Sequence, residues 1–294
     1  MNYNKWLKLN TEDLKGKTIA VTGTTGGLGR ELVRFLCKLN ANIILLDRNA
    51  ERSKDFEEEL VKDFPTVKID RITVDLEDFD SVKSAVEKLK QLPIDIFIHN
   101  AGAYSIPRHK CSTGFDNVFQ INFVSPLYII RELLPKLRER KGQVVAVGSI
   151  AHNYSKTDSN DIDFTTRTAS SKVYGNAKRY LMFSLYELFK AETDVTLSIV
   201  HPGITFTNIT AHYPKLIFAV IKNPMKIIFM KPKKAVLSLL KGVFEPTYYH
   251  TWFGPKIFNV WGLPKLQKLR TVSEKESEFI GKTADEIYEK LKSK

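Results

Sequence analysis

Tyr174 and Lys178 stand one helical turn apart, which puts a phenol and an ammonium on the same face of a helix. A free tyrosine titrates at about 10. A lysine cation beside it favours the phenolate, so the pair could give and take a proton near neutral pH. Alone, Tyr-x-x-x-Lys is common on helix surfaces, where apolar and charged residues alternate by turn. Its weight comes from what precedes it in the chain.

The run Lys17-Thr18-Ile19-Ala20-Val21 reads as a buried parallel strand. It enters a glycine-rich turn, Thr22-Gly23-Thr24-Thr25-Gly26-Gly27-Leu28-Gly29, and then helical spacing at Leu32, Val33, Leu36 and Leu39. Strand, glycine turn and helix is the arrangement in which a helix N-terminus faces the pyrophosphate of a dinucleotide. The glycines let backbone approach the phosphates closely. A second strand, Ala41-Asn42-Ile43-Ile44-Leu45-Leu46, runs into Asp47, placed to accept hydrogen bonds from an adenosine ribose. Asp47 repels a 2′-phosphate, whereas Arg48 next to it attracts one. Repulsion at contact distance outweighs the neighbouring attraction, so the charge pattern favours NAD over NADP. The glycine turn points the same way, since it carries no basic residue that could grip the extra phosphate.

The elements that must hold these residues alternate along the chain. Strands are expected near 17–22, 42–47, 69–74, 94–99, 143–148 and 195–200. Helices are expected near 28–39, 50–63, 78–91, 113–138, 170–191 and 232–243. Such alternation gives an α/β fold, a Rossmann-type doubly wound parallel sheet with helices on both faces and right-handed crossovers. Ligands then bind at the carboxyl ends of the strands. Gly23, Asp47, Asp75, Asn100, Ser149 and Pro202 all fall at such ends.

These features together resemble the short-chain dehydrogenase/reductase family. The glycine turn has its T-G-x-x-x-G-x-G form, and the resemblance continues in order through Asp75-Leu76, Asn100-Ala101-Gly102, Asn122, Ser149, Tyr174/Lys178 and His201-Pro202-Gly203-Ile204-Thr205-Phe206-Thr207. It covers roughly residues 14 to 210. The long stretch from Ser149 to Tyr174, with Ala151-His152 and Asp161-Ile162-Asp163-Phe164, looks like the branch containing retinol and related lipid-alcohol dehydrogenases. The resemblance implies an NAD(P)-linked oxidoreductase that interconverts an alcohol and a ketone or aldehyde on an apolar, steroid-, retinoid- or lipid-like substrate. It assigns Asn122, Ser149, Tyr174 and Lys178 to catalysis. Tyr174 is the general acid or base, Lys178 tunes it and bonds the nicotinamide ribose, Ser149 holds the substrate oxygen, and Asn122 supports a water leading to Lys178. Cofactor contacts are expected from Gly23, Thr25, Gly26, Gly27, Leu28, Gly29, Asp47, Arg48, Asp75, Leu76, Asn100, Ala101, Gly102, Tyr174, Lys178, Pro202, Gly203, Ile204 and Thr207. A catalytically quiet dinucleotide sensor and a membrane-surface lipid-handling protein are the alternatives; a complete Asn-Ser-Tyr-Lys set speaks against the first.

Composition sets the limits. With 294 residues, 43% hydrophobic and 27% charged, the chain is of ordinary globular make-up and suits one domain. Within it the reading is a cofactor and catalytic core over 14–210, a substrate-covering helical flap over 204–241 and a C-terminal extension over 242–294. Two cysteines, Cys37 and Cys111, indicate no disulfide framework and a reducing, cytoplasmic compartment. No apolar leader or membrane-spanning run is evident, and no group of residues has metal-ligand spacing. The net charge of +12 is concentrated. Between His212 and Lys241 lie seven lysines and no acid, interleaved with Leu216 to Ile221 and Ile227 to Met230. That mixture suits a solvated lid, divided by Pro214, Pro224 and Pro232, or a surface resting on anionic lipid, and the lid is the favoured reading. No nucleic-acid module accompanies the charge. His201, before Pro202-Gly203, is read as structural. The oligomeric state stays open.

Overall fold

The structure, a computed structural model, describes residues 3–204 and 230–293. The expected flap therefore lies mostly outside the described residues, as do Phe206 and Thr207. Elsewhere the strands follow the apolar runs: β1 (Thr18–Thr22), β2 (Asn42–Asp47), β3 (Ile69–Thr73), β4 (Ile96–His99), β5 (Gln143–Val147) and β6 (Thr196–Val200). All pair in parallel in the order β3-β2-β1-β4-β5-β6, with β7 (Thr251–Ile257) parallel beside β6 and β8 (Trp261–Lys268) antiparallel at the edge. β4 and β5 are buried at every position, as strands covered on both faces must be.

Helices α1 (Tyr3–Asn10), α2 (Gly27–Lys38), α3 (Ala50–Asp63) and α7 (Pro232–Phe244) share one core on one face of the sheet. Helices α4 (Phe79–Lys90), α5 (Ser125–Glu139), α6 (Ser170–Leu188) and α8 (Glu274–Lys292) share the other. Side-chain caps mark several starts: Asn49 accepts from Arg52 N before α3, and Asp78 accepts from Asp80 N before α4.

The helix expected from residue 113 begins later. Cys111 to Gly114 form a turn, with Gly114 at φ 95°, and Asp116 caps a short helical turn, Asn117–Phe119. A π-helical stretch, Gln120–Val124, then leads into α5. The wide turn has a local cause. The Asn122 amide donates to Val118 O at 2.8 Å and to Ala103 O at 2.8 Å, so its side chain ties the widened backbone to the loop after β4.

The C-terminal extension is built into the fold. α8 packs on α6, and Arg179 is the pin. Its guanidinium donates to Glu276 Oε1 at 2.8 Å and Oε2 at 2.7 Å, to His152 O at 2.8 Å and to Thr271 O at 2.9 Å, and it is only 2% exposed. Burial raises the Glu276 carboxyl, but the bonds from Arg179 and Thr157 outweigh it and hold the pKa below the ordinary value. Arg179→Met should cost about 3–5 kcal/mol, because it strands a part-buried carboxylate. Glu276→Leu in the same chain should recover most of that. Denaturant midpoints at constant slope measure both. The ion pair stabilises above the ordinary glutamate pKa and is lost as pH falls through the depressed one, so the cost of Arg179→Met should shrink in acid.

Candidate active site

The carboxyl ends of the strands open into a cleft of about 760 Å³. Its first wall is the glycine turn. Gly23 has φ 71°, and a Cβ there would sit 2.9 Å from Ala101 Cα. A Cβ on Gly29 would lie 2.1 Å from Gly23 O, so only glycine lets α2 start this close to β1. Gly26 is the N-cap of α2 and supplies no side-chain acceptor, while a Cβ on Gly27 would meet nothing within 4 Å. First-turn N–H groups of α2 thus face open cleft without a side-chain cap, a setting that fits an anionic diphosphate.

Asn100 fastens the turn from the β4 side, its amide donating to Thr22 O and Gly23 O at 3.0 Å each. Thr22 Oγ1 accepts from the backbone of Asn100 and Ala101, also at 3.0 Å. Its proton is left for His99 Nδ1 at 3.2 Å. Burial and the nearby Lys178 keep His99 neutral, well below its ordinary pKa.

Asp47 is engaged within the turn itself. Its carboxylate is 3% exposed and accepts from Thr24 N at 2.6 Å, Thr25 N at 3.1 Å, Thr25 Oγ1 at 3.3 Å, Ser53 Oγ at 3.1 Å and the Thr24 hydroxyl. Five donors from the turn and α3 thus fill its lone pairs in this arrangement. Arg48 and Arg52, by contrast, line the cleft exposed, and neither has an ion-pair partner among the described residues. Asp75 and Leu76 line the same end, with Asp75 Oδ1 accepting from Glu77 N at 3.0 Å.

Ser149, Tyr174 and Lys178 meet at the other end. Ser149 caps a short 3₁₀ turn, Oγ accepting from Ala151 N at 3.2 Å, which leaves its hydroxyl hydrogen to donate. Lys178 is 2% exposed, and its ammonium donates to Val147 O at 2.9 Å. Burial lowers its pKa to about 7. Burial also pushes the Tyr174 phenol up to about 12; the Ser149 hydroxyl pulls it down and Tyr104 pushes it up. The expectation that Lys178 depresses the tyrosine pKa is therefore not met in this arrangement. The ammonium lies 5.9 Å from the Tyr174 ring centre and is spent on a backbone carbonyl, so desolvation wins.

Asn122 lies beneath the cleft, fully buried, rather than on its wall. A Cβ on Gly102 would meet Asn122 Oδ1 at 2.7 Å and Lys178 Nζ at 3.7 Å, so both groups crowd that bare glycine. Pro202, Gly203 and Ile204 close the cleft from β6. His201 stacks on Trp252, centres 4.8 Å apart and 8° off parallel, and burial takes its pKa to about 4, in keeping with a structural role.

Tyr104, Tyr154 and Arg52 escaped the sequence reading. Tyr104 meets Tyr174 edge to face at 5.3 Å, and all three line the cleft. Tyr104 sits two residues past Asn100-Ala101-Gly102, which was the available signal. The insert after Ser149 braces that loop: Asp163 accepts from Asp116 N at 2.8 Å, Arg108 donates to Asp116 at 2.9 Å and to Phe164 O at 2.8 Å, and Asn176 donates to Ile162 O at 2.7 Å.

Compared with known proteins, residues 17–215 match the family described as short chain dehydrogenase. The chain is 30% identical over 215 residues to the short-chain dehydrogenase TIC 32 A, chloroplastic, of Brassica napus, covering 68% of this chain and 67% of that protein. It is 29% identical over 202 residues to retinol dehydrogenase 12 of Mus musculus, covering 67% and 64%, and 26% identical over 203 residues to polyprenol dehydrogenase of Homo sapiens, covering 65% and 62%. The match thus spans a little under two thirds of the latter two. Among solved structures, a protein from Mycobacterium paratuberculosis superposes over 96% of both chains with a TM-score of 0.73 at 20% identity. A short-chain dehydrogenase from Sphingobium yanoikuyae, in complex with NADPH, does so over 77% of this chain and 83% of that one with a TM-score of 0.61 at 19% identity. At these identities the two structures speak for the fold.

Proposed function

The chain belongs to the short-chain dehydrogenase/reductase family, which makes it an NAD(P)-dependent oxidoreductase, and we propose that it interconverts an alcohol and a ketone or aldehyde on an apolar substrate. The observation that carries the proposal is the meeting of Ser149, Tyr174 and Lys178 in one cleft with the uncapped glycine turn. A bound nicotinamide dinucleotide supplies the hydride; the protein supplies position and a proton. Gly26, Gly27 and the first turn of α2 bind the diphosphate, and Asn100 keeps that turn in shape. Ser149, whose hydroxyl already bonds the Tyr174 phenol, donates its hydrogen to the substrate oxygen once that oxygen is bound. Tyr174 gives that oxygen a proton in reduction and takes it back in oxidation. Lys178 supplies positive charge beneath the reacting oxygen. Tyr104, Ile106, Ile150 and Tyr154 line the substrate end, where an apolar body would be buried. The retinol and polyprenol dehydrogenases among its relatives support that class. A panel of ketosteroids, retinal and medium-chain ketones, offered with reduced cofactor, tests the reading. Consumption with apolar carbonyls but not with sugars is expected; a protein that binds cofactor yet turns over none of the apolar carbonyls would refute it.

Cofactor preference follows from Asp47. With its lone pairs filled, the carboxylate has no acceptor to offer a ribose, and Arg48 and Arg52 flank the place where a 2′-phosphate would lie. We therefore favour NADP, reversing the balance that charge alone suggests. Arg48→Gln with Arg52→Gln should cut kcat/KM for NADPH by about 10²-fold and leave NADH nearly unaffected, the size expected for charge-assisted bonds. A wild type that prefers NADH would show that Asp47 releases its partners to take a ribose.

A further inference from the structure

The hairpin joining β7 to β8 ends in a turn that resists a purely structural explanation. Val260 N donates to Ile257 O at 2.9 Å, and the two central residues, Phe258 and Asn259, both have positive φ, 51° and 57°. Such a turn favours Asn-Gly, and an aromatic residue in the left-handed region is strained. Phe258 nevertheless stands there 82% exposed, with Ile257 at 49% and Trp261 at 37% beside it. The base of the tip adjoins Gly203 on the rim of the cleft. A Cβ on Gly203 would touch Val260 O at 2.8 Å, Pro255 Cγ at 3.0 Å and Met230 Sδ at 3.1 Å, so hairpin, cleft rim and the start of α7 converge. Lys231, Lys233 and Lys234 begin α7 from that point, and Lys256 and Lys265 flank the tip; all five are exposed. From Met230 to Ser273 the chain has eight lysine or arginine residues against one carboxylate, Glu245, and Lys241 is paired with it.

We propose that this end of the molecule docks on an anionic lipid surface, with Ile257 and Phe258 entering the headgroup layer and the surrounding lysines meeting lipid phosphates. Exposed apolar tips ringed by lysine suit such a surface, where the apolar part is buried and the charge is attracted. A protein partner would need a complementary acidic face, whereas the strained, protruding ring fits a yielding layer. No helix among the described residues is long and apolar enough to cross a membrane. Docking in this pose would present the cleft mouth to lipid, the source of an apolar substrate. The docking rests on the exposed tip and its lysines and stands whether or not the proposed reaction is right.

Sedimentation with vesicles tests it independently of turnover. The full chain should sediment with vesicles of phosphatidylcholine and phosphatidylserine in equal parts, remain in the supernatant with pure phosphatidylcholine, and be released by salt. Phe258→Asp should lower binding at least tenfold and leave the thermal midpoint unchanged, while Phe258→Trp should restore it. If Phe258→Asp proves unstable, Lys256→Glu with Lys265→Glu serves the same purpose. Wild type that ignores anionic vesicles, or folded tip variants that sediment like wild type, would overturn the proposal. A vesicle-free dimer that dissolves on Phe258→Asp would overturn it too, by assigning the tip to a second copy of the chain.

Discussion

Tyr174→Phe should lower turnover by about 10²- to 10⁴-fold, the usual cost of removing a general acid or base, while cofactor affinity stays close to that of the wild type. The two effects separate because the residues involved separate. Tyr174 lines the cleft beside Ser149, where the substrate oxygen is proposed to bind, whereas the uncapped turn before α2, proposed to bind the diphosphate, lines another stretch of the same cleft. Phe keeps the edge-to-face packing on Tyr104, so the fold should not move. A phenol pushed up to about 12 by burial is protonated throughout the neutral range. Carbonyl reduction should therefore show no loss from this group between pH 6 and 9, and alcohol oxidation, which needs the phenolate, should climb with pH. Equilibrium titration of cofactor fluorescence, beside steady-state rates for both directions, measures each part. A Tyr174→Phe protein with near-wild-type turnover would take the tyrosine out of the mechanism.

Lys178→Met should do two opposite things. Turnover at pH 6, where the lysine is still charged, should fall by about 10²-fold or more, since the charge proposed to act on the reacting oxygen is gone. Stability of the cofactor-free protein should rise. The buried lysine titrates near 7 in the folded chain against an ordinary 10.5, so the folded state binds fewer protons than the unfolded one between those values. Its burial penalty is therefore full below about pH 7 and fades as pH climbs towards 10.5. Methionine fills a similar space without the charge. The variant should be more stable at pH 6 by on the order of 2 kcal/mol, the charge penalty less one lost hydrogen bond to Val147 O, and the gap should close by about pH 10. Thermal midpoints across that range measure it. An unchanged gap at all pH values would mean that Lys178 is not held uncomfortably in the native state. Combined with Tyr174→Phe, the second substitution should add little, because the two act as a unit.

The central sheet was legible because strands covered on both faces are written as unbroken apolar runs, such as Ile43 to Leu46 and Val144 to Val147. The glycine turn was legible because only glycine fits at position 29, where a Cβ would lie 2.1 Å from Gly23 O. The C-terminal hairpin was not. β7 and β8 carry Gly254, Pro255, Gly262 and Pro264, and Pro255 faces Pro264 in the register, a pattern that reads as loop and survives only at a sheet edge. α8 did leave a trace, with Ile280, Ala284, Ile287 and Leu291 at helical spacing and buried, but its partner on α6 could not be inferred from periodicity. Within the site, residue types located the groups and burial decided their behaviour. Spacing brought Tyr174 and Lys178 together, yet the carbonyl of Val147 and the depth of the cleft set their proton affinities. Asp47 was found by its place after β2, while its partners Thr24, Thr25 and Ser53 come from two different elements and are invisible to a linear reading.

The most direct test of the central claim is transfer of deuterium from labelled reduced nicotinamide cofactor to an apolar ketone or aldehyde, read by mass spectrometry of the alcohol in a single turnover. Wild-type protein should place label on the carbinol carbon, and Tyr174→Phe should reduce that label by about 10²-fold or more under the same cofactor occupancy. Cofactor bound tightly with no label passed to any of the carbonyls offered, or label passed equally well by the phenylalanine variant, would contradict it.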